Sequence, residues 1–112
     1  MPPTQPPPPT LRVAVHRCDG IVEVHLDGEL DTATAPQLAA ELRALLDGSD
    51  TPPQVVVDAG RLRFADVSGL DPLVETARRL GPSGGFRMRN VSGFQLRMIR
   101  ILRLADLLGV EA

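Results

Sequence analysis

Apolar and polar residues alternate along the first part of the chain, on both sides of a short turn signal. The alternation runs from Leu11 to Leu30 and breaks at Asp19-Gly20, a dipeptide that favours a two-residue β-turn. The pattern therefore predicts a β-hairpin in which Cys18 faces Ile21 and His16 faces Glu23. The two predicted faces are an apolar one, formed by Val13, Val15, Val22, Val24 and Leu26, and a polar one, formed by Arg12, His16, Cys18, Glu23 and His25.

After Leu30 the apolar residues recur at a helical period in two segments of the chain, and a short run of consecutive apolar residues lies between these two predicted helices. Thr34 and Gln37 have the spacing of a capping box, and Gly48 is a typical helix stop. The three β-branched residues Val55 to Val57 predict a strand buried on both faces. The apolar stripe of the first helix is formed by Leu38, Leu42, Leu45 and Leu46, and that of the second by Leu70, Leu73, Val74, Ala77 and Leu80.

The last third of the chain predicts a short strand and a final helical region. The strand spans Phe86 to Arg89, and a second capping box, Ser92 to Gln95, marks the start of the helix. A further short helical turn is predicted between Leu104 and Val110. We expect the inward face of the helix to be formed by Phe94, Met98, Ile101 and Leu102. Its outer flank is formed by Arg97, Arg100 and Arg103, either as a solvated surface or as a contact for an acidic partner.

The order of these elements is β-β-α-β-α-β-α. It predicts an α/β fold with a mixed sheet of about four strands and helices mainly on one face. Residues 1–10 contain six prolines, so we expect a disordered Pro-rich tail there, or alternatively a PxxP-type ligand for a partner. The folded domain is expected to span residues 11–112.

Composition narrows the range of functions. The net charge is −2 at pH 7, and Trp and Tyr are absent, so we expect no nucleic-acid binding and no aromatic platform for stacking bases. The single cysteine, Cys18, excludes an internal disulfide and suits a reducing compartment. No apolar run approaches the roughly 20 residues of a membrane span. These features together predict a cytoplasmic protein without membrane insertion.

Catalytic and metal-binding motifs are not found in the sequence. The residues around Ser68 do not form Gly-x-Ser-x-Gly, and the chain contains neither a P-loop nor Gly-x-Gly-x-x-Gly. His16 and His25, with Glu23 nearby, could suggest a metal site, but no third histidine or second cysteine completes a zinc set. We therefore expect solvent-facing histidines, no metal, no cofactor and no enzymatic activity.

The segment Asp66-Val67-Ser68-Gly69-Leu70 stands where the buried strand gives way to a helix. One interpretation of Ser68 is a helix N-cap, with Asp71 as its capping partner. Another is an acceptor of phosphate at a positively polarised helix N-terminus. The two interpretations are compatible. Asp31 and Thr32 likewise fit helix-entry chemistry or a shared functional surface.

Three groups of residues together resemble a STAS domain. They are Gly28-Glu29-Leu30-Asp31, the run from Val55 to Leu70 with its Phe64-Ala65-Asp66-Val67-Ser68-Gly69-Leu70 end, and Arg89-Asn90-Val91. The similarity covers roughly residues 11–110, and the subgroup resembled is the stand-alone anti-sigma factor antagonists of bacteria.

This resemblance implies a protein that binds an anti-sigma factor with serine kinase activity and so frees a sigma factor. The kinase would phosphorylate Ser68, which ends binding, and a serine phosphatase would reset the protein. The free form is expected to be a monomer or a weak dimer. The partner-binding surface implied by the family is formed by Asp31, Thr32, Asp66, Val67, Gly69, Leu70 and Asn90.

Two departures from the family pattern lie beside Ser68. Val67 stands where many members have a second hydroxyl residue, and Asp71-Pro72 replaces small residues. If Ser68 is the N-cap, Pro72 removes an early helical hydrogen bond and predicts an irregular first turn. An alternative function on the same fold is an accessory subunit of a lipid-transport ABC complex, which needs no phosphate switch.

Overall fold

Eight elements of secondary structure follow one another in the computed structural model, which describes residues 11–48, 51–81 and 85–110. The order and the fold class predicted from the sequence are confirmed, and the last helical turn is a separate short helix. The Pro-rich tail and its PxxP alternative lie outside the described residues. The elements are β1 (Leu11–Cys18), β2 (Ile21–Leu30), α1 (Ala35–Asp47), β3 (Gln54–Ala65), α2 (Val67–Leu80), β4 (Phe86–Arg89), α3 (Gly93–Ile101) and α4 (Ala105–Leu108).

The sheet is mixed and has the strand order β1-β2-β3-β4. β1 and β2 are antiparallel, whereas β2, β3 and β4 run parallel. The hairpin has the predicted register, with Cys18 opposite Ile21 and His16 opposite Glu23. Asp19 and Gly20 both have positive φ, at 49° and 80°, as a two-residue turn between right-twisted strands requires.

The core lies between the helices and one face of the sheet. Alternate residues of the strands are buried on that face, including Val22, Val24, Val55 and Val57. The predicted stripe of α1 is buried as a whole, and so are Leu70 and Leu73 of α2. The opposite face of the sheet carries polar side chains such as Glu23, His25, Asp58 and Arg89. No helix in the described residues is long and apolar enough to cross a membrane.

β3 is much longer than the three-valine strand that the sequence predicts. It continues through Arg61 and Arg63, whose side chains are exposed, to Ala65. β2 follows it along this length with irregularities between His25 and Asp27 and between Gly28 and Glu29. β4, in contrast, pairs only with the first half of β3, from Val55 to Asp58. The second half of β3 therefore extends beyond the end of β4.

The predicted inward face of α3 is wrong for three of its four residues, and only Met98 is partly buried against the core. Phe94 is 76% exposed, Ile101 73% and Leu102 37%, whereas Gln95 and Ile99 are buried. The orientation of α3 is set by its contacts. The Gln95 side-chain amide donates to the carbonyl oxygen of Leu62 in the second half of β3, at 3.5 Å. Ile99, one turn later, enters the core, so the apolar residues on the far side face outward.

A polar network joins β2, β3 and β4 on the open face of the sheet. The Arg89 guanidinium donates to Glu23 Oε1 at 3.0 Å and to Asp58 Oδ2 at 3.2 Å. The Asn90 side chain donates to Asp58 Oδ2 at 3.1 Å, and the Gly60 N–H donates to Asp58 Oδ1 at 2.9 Å. The Asp58 carboxylate therefore accepts three hydrogen bonds and fixes the segment that leads into α3.

Acidification is expected to destabilise the protein partly through Asp58. Burial raises the pKa of this carboxyl, but the hydrogen bonds from Gly60, Arg89 and Asn90 outweigh burial and lower it. Because the folded pKa lies below the unfolded value of about 3.9, this stabilisation is present above about pH 4 and is lost as pH falls through the folded pKa. Urea unfolding of Asp58→Asn should therefore show a weaker dependence on pH below about pH 5 than the parent.

The control for this prediction is Asp106→Asn, which removes an exposed carboxylate on α4. It should leave the pH dependence of the parent unchanged. An Asp58→Asn profile that is parallel to the parent profile would contradict the role assigned to the network.

Candidate partner-binding site

The start of α2 is capped by Asp66 and not by Ser68. Asp66 has extended backbone angles, and its Oδ1 accepts a hydrogen bond from the Gly69 N–H at 2.8 Å. The interpretation of Ser68 as N-cap is therefore wrong. The reason is that β3 continues to Ala65 and α2 begins at Val67. Asp66 is therefore the last extended residue before the helix, which is the N-cap position.

Ser68 lies in the first turn of α2 with its side chain exposed. Within the described residues its hydroxyl makes no hydrogen bond, since the cap is supplied by Asp66. Pro72 has no N–H and cannot give the Ser68 carbonyl its usual helical hydrogen bond. Despite this proline, α2 is continuous from Val67 to Leu80. Ser68 is thus a polar residue that the fold itself does not use.

Gly69 and Leu70 hold the start of α2 against the end of β2. A Cβ at Gly69 would lie 2.3 Å from the carbonyl oxygen of Leu30 and 2.6 Å from its carbonyl carbon. The Asp66 N–H donates to the same oxygen at 3.1 Å, and Leu70 is 3% exposed in the core. Val67, in contrast, is 54% exposed beside Ser68. Of the predicted surface residues, Gly69 and Leu70 lie beneath the surface and position the others.

The loop from β2 into α1 is held by side chains that the sequence assigned to capping. Asp31 Oδ1 accepts from the N–H groups of Ala33 and Thr34, at 2.9 and 3.0 Å. Thr34 Oγ1 donates to the Glu29 carbonyl at 2.9 Å. The predicted capping box between Thr34 and Gln37 is wrong. Thr34 has helical backbone angles and no side-chain cap bond, and the Gln37 amide instead donates to the Leu11 carbonyl at 3.2 Å.

Thr32 and Ser68 face the same groove, which runs between α1 and α2. The groove has a volume of about 380 Å³, and small or cyclic side chains keep it open. An ion pair between Arg43 and Glu75, with both nitrogen–oxygen distances at 3.1 Å, bounds it farther along the helices. The groove is also lined by Ala35, Pro36, Ala39, Asp71 and Pro72. Sequence reasoning missed Pro36 and Ala39, although their helical spacing beside a predicted loop was a usable signal.

Asn90 lies apart from this groove. It contacts Asp58, and a Cβ at Gly60 would lie 3.3 Å from the Asn90 Cβ. Asp58 pairs with His25 in the middle of β2, whereas Ala65, just before Asp66, pairs with Leu30 at the end of β2, five positions or roughly 16 Å farther along. The structure therefore brings Thr32 and Ser68 to one groove, and Asp31 and Asp66 hold the two chain segments that carry them. Val67 is exposed next to Ser68 in the chain, but neither Val67 nor Asn90 lines the groove.

The histidines lie on the predicted polar face of the hairpin. The rings of His16 and His25 are edge to face with centroids 5.5 Å apart. The nitrogens of His25 are 3.8 Å from carboxylate oxygens of Glu23 and Asp58. In the described ranges no group of three or more His, Cys, Asp or Glu side chains has an arrangement that could hold a metal ion.

Comparison with known proteins connects this geometry to a family. The family model described as "Mlab, STAS domain" matches residues 13–109. The chain belongs to the STAS domain family. Its capped Asp-x-Ser-Gly turn thus stands in a STAS domain, as the sequence resemblance predicted.

Similar proteins place this STAS domain beside anti-sigma factor antagonists. A Bordetella bronchiseptica protein, provisionally named anti-sigma factor antagonist BtrV, is 33% identical over 70 residues. That match covers 62% of this chain and 59% of the relative. The crystal structure of an anti-sigma factor antagonist from Mycobacterium paratuberculosis is 29% identical and has a TM-score of 0.79. The alignment of the two structures covers 92% of this chain and 86% of the Mycobacterium paratuberculosis chain.

The fold is shared more widely still. SpoIIAA from Bacillus, solved in its phosphorylated form, has a TM-score of 0.64 at 22% identity, with 90% of this chain and 92% of the other covered. At this identity the likeness concerns the fold. The predicted resemblance to the STAS domains of anti-sigma factor antagonists is confirmed.

Proposed function

We propose that this protein is an anti-sigma factor antagonist that binds an anti-sigma factor with serine kinase activity through the Ser68 end of the α1–α2 groove. Binding would free the sigma factor that the anti-sigma factor holds. The observation that carries this proposal is the exposed Ser68 hydroxyl, left unused by Asp66 capping, at the mouth of an open groove. The protein would act as ligand and substrate in the cytoplasm and would not itself be a catalyst.

The same position supports control by phosphorylation. A phosphate on Ser68 would add nearly two negative charges and three acceptor oxygens at the start of a helix. It would stand beside Asp71, and Arg43 in the same groove is already paired with Glu75. The added charge would therefore meet an acidic neighbourhood and oppose a partner shaped for the neutral surface. A serine phosphatase would restore binding.

A second candidate function is an accessory subunit of a lipid-transport ABC complex, bound through the same groove without a phosphate switch. Asp71 favours it, because a carboxylate in the groove beside Ser68 would repel the phosphates of the ATP bound to a docked kinase. In this case the groove would serve only as a constant protein contact.

Intact-mass spectrometry after incubation with the cognate anti-sigma factor and Mg-ATP tests the proposed phosphorylation. Three proteins are compared: the full chain, its Ser68→Ala variant and its Ser92→Ala variant. We expect one phosphate on the parent and on Ser92→Ala, and none on Ser68→Ala. Ser92 is the matched control because it is also exposed at a helix start. Phosphate at another residue, or stable binding of a transporter ATPase by an unmodified chain, would contradict the proposal.

A further inference from the structure

α3 carries an apolar ridge that no other part of the described chain covers. Phe94 and Ile101 are 76% and 73% exposed and lie on the same side of the helix, because seven residues make nearly two turns. Met98, between them, is partly buried, and Leu102 at the end of α3 is 37% exposed. We call Phe94, Met98, Ile101 and Leu102 the α3 ridge. Two strongly exposed apolar side chains on one short helix, continued by Leu102 at its C-cap, indicate an interaction surface.

The α3 ridge has a basic border on one side only. At about 100° per residue, Arg97 and Arg100 fall on one flank of Phe94 and Ile101, and the opposite flank turns into the core through Gln95 and Ile99. Both arginines are exposed and are joined by exposed Arg103 just after the helix. α3 contains no acidic residue, in a protein whose net charge is −2. The local charge is therefore opposite to that of the whole molecule.

The one-sided charge selects among possible occupants. A second copy in antiparallel pairing would place arginines beside arginines, which is unfavourable without a carboxylate in α3 to offset them. A membrane surface is laterally uniform, and helices that bind it carry a broad polar face rich in basic residues. A protein segment with carboxylates along one side of an apolar face matches both the α3 ridge and its border.

We propose that the α3 ridge and its arginine border form a docking surface for an amphipathic protein segment with Asp or Glu along one side of its apolar face. None of the ridge or border residues lines the α1–α2 groove. The inference therefore does not depend on the proposed role of Ser68, and it adds a second protein contact to that of the groove.

The test uses the full chain and a fluorescently labelled helical peptide with a leucine face bordered on one side by glutamates. A matched peptide has lysines in place of the glutamates. By fluorescence anisotropy we expect the glutamate peptide to bind at least tenfold more tightly than the lysine peptide. Phe94→Ser should weaken binding of the glutamate peptide at least tenfold. The double variant Arg97→Glu, Arg100→Glu should bind the lysine peptide more tightly than the glutamate peptide.

The matched control is Ile21→Ser, which removes an exposed apolar side chain, 40% exposed, at the hairpin turn. It should bind the glutamate peptide as the parent does. Thermal unfolding should show that Phe94→Ser is folded, because its side chain packs on little. No binding, equal binding of the two peptides, or an equal effect of Ile21→Ser would overturn the proposal.

Two further measurements separate the other occupants. Sedimentation with vesicles of anionic phosphatidylglycerol should leave the protein in solution, and analytical ultracentrifugation should show no self-association that depends on Phe94. Vesicle binding that Phe94→Ser abolishes would overturn the proposal in favour of a membrane surface. A dimer that Phe94→Ser dissociates would overturn it in favour of a second copy.

Discussion

Gly69→Ala is expected to destabilise the protein by about 3 kcal/mol or more, the upper range for overpacking a close contact. The added methyl would lie 2.3 Å from the Leu30 carbonyl oxygen and 2.6 Å from the carbonyl carbon. Both are backbone atoms at the end of β2, so no side-chain rotation relieves the clash. The start of α2 must move away from β2, which also strains the Asp66 bond to the Gly69 N–H. Urea unfolding of the parent and the variant measures the loss.

The control for this variant is Gly93→Ala, at the first position of α3. A Cβ there meets no atom within 4 Å, and alanine favours a helix over glycine by up to about 1 kcal/mol. Gly93→Ala should therefore be as stable as the parent or slightly more so. A Gly69→Ala variant with parental stability would show that the close approach of β2 and α2 is not required.

Ser68→Asp is expected to weaken binding of the anti-sigma factor about 100-fold, which corresponds to about 2.7 kcal/mol. The carboxylate places a fixed negative charge beside Asp71 on the proposed contact surface. The free energy of unfolding should change by less than about 0.5 kcal/mol, because the side chain is exposed and an acidic residue suits the first turn of a helix. Titration calorimetry and urea unfolding separate the two effects.

Two controls accompany Ser68→Asp. Ser68→Ala removes a hydroxyl that is not part of the cap, so the variant should fold like the parent. It adds no charge to the contact surface and should bind the anti-sigma factor within about threefold of the parent. Ser92→Asp adds the same charge at the N-cap of α3, where the serine hydroxyl accepts from the Gln95 N–H at 3.2 Å and aspartate can replace it. It should bind like the parent. Parental affinity in Ser68→Asp would leave Ser68 without a switching role.

The sequence by itself determined the local elements and their order. Asp19-Gly20 fixed the hairpin and its register because few dipeptides adopt two consecutive residues with positive φ. The leucine stripe of α1 predicted its buried face correctly, because a helix between two strands can cover the sheet on one side only. The Asp-x-Ser-Gly segment located the start of α2 and the exposed Ser68.

Tertiary structure decided which face of α3 points inward and which residue caps α2. Periodicity gives α3 an apolar side but does not say that it is covered. The Leu62 carbonyl and the core took up Gln95 and Ile99, and Phe94 stayed outside. The length of β3 made Asp66 the cap and separated Asn90 from Ser68. The alternation of Arg61, Leu62, Arg63 and Phe64 was a local signal for the longer strand, but its pairing with the end of β2 is a long-range contact. Local periodicity indicates which element a segment can form. Which side of that element is buried depends on contacts with segments that are remote in sequence.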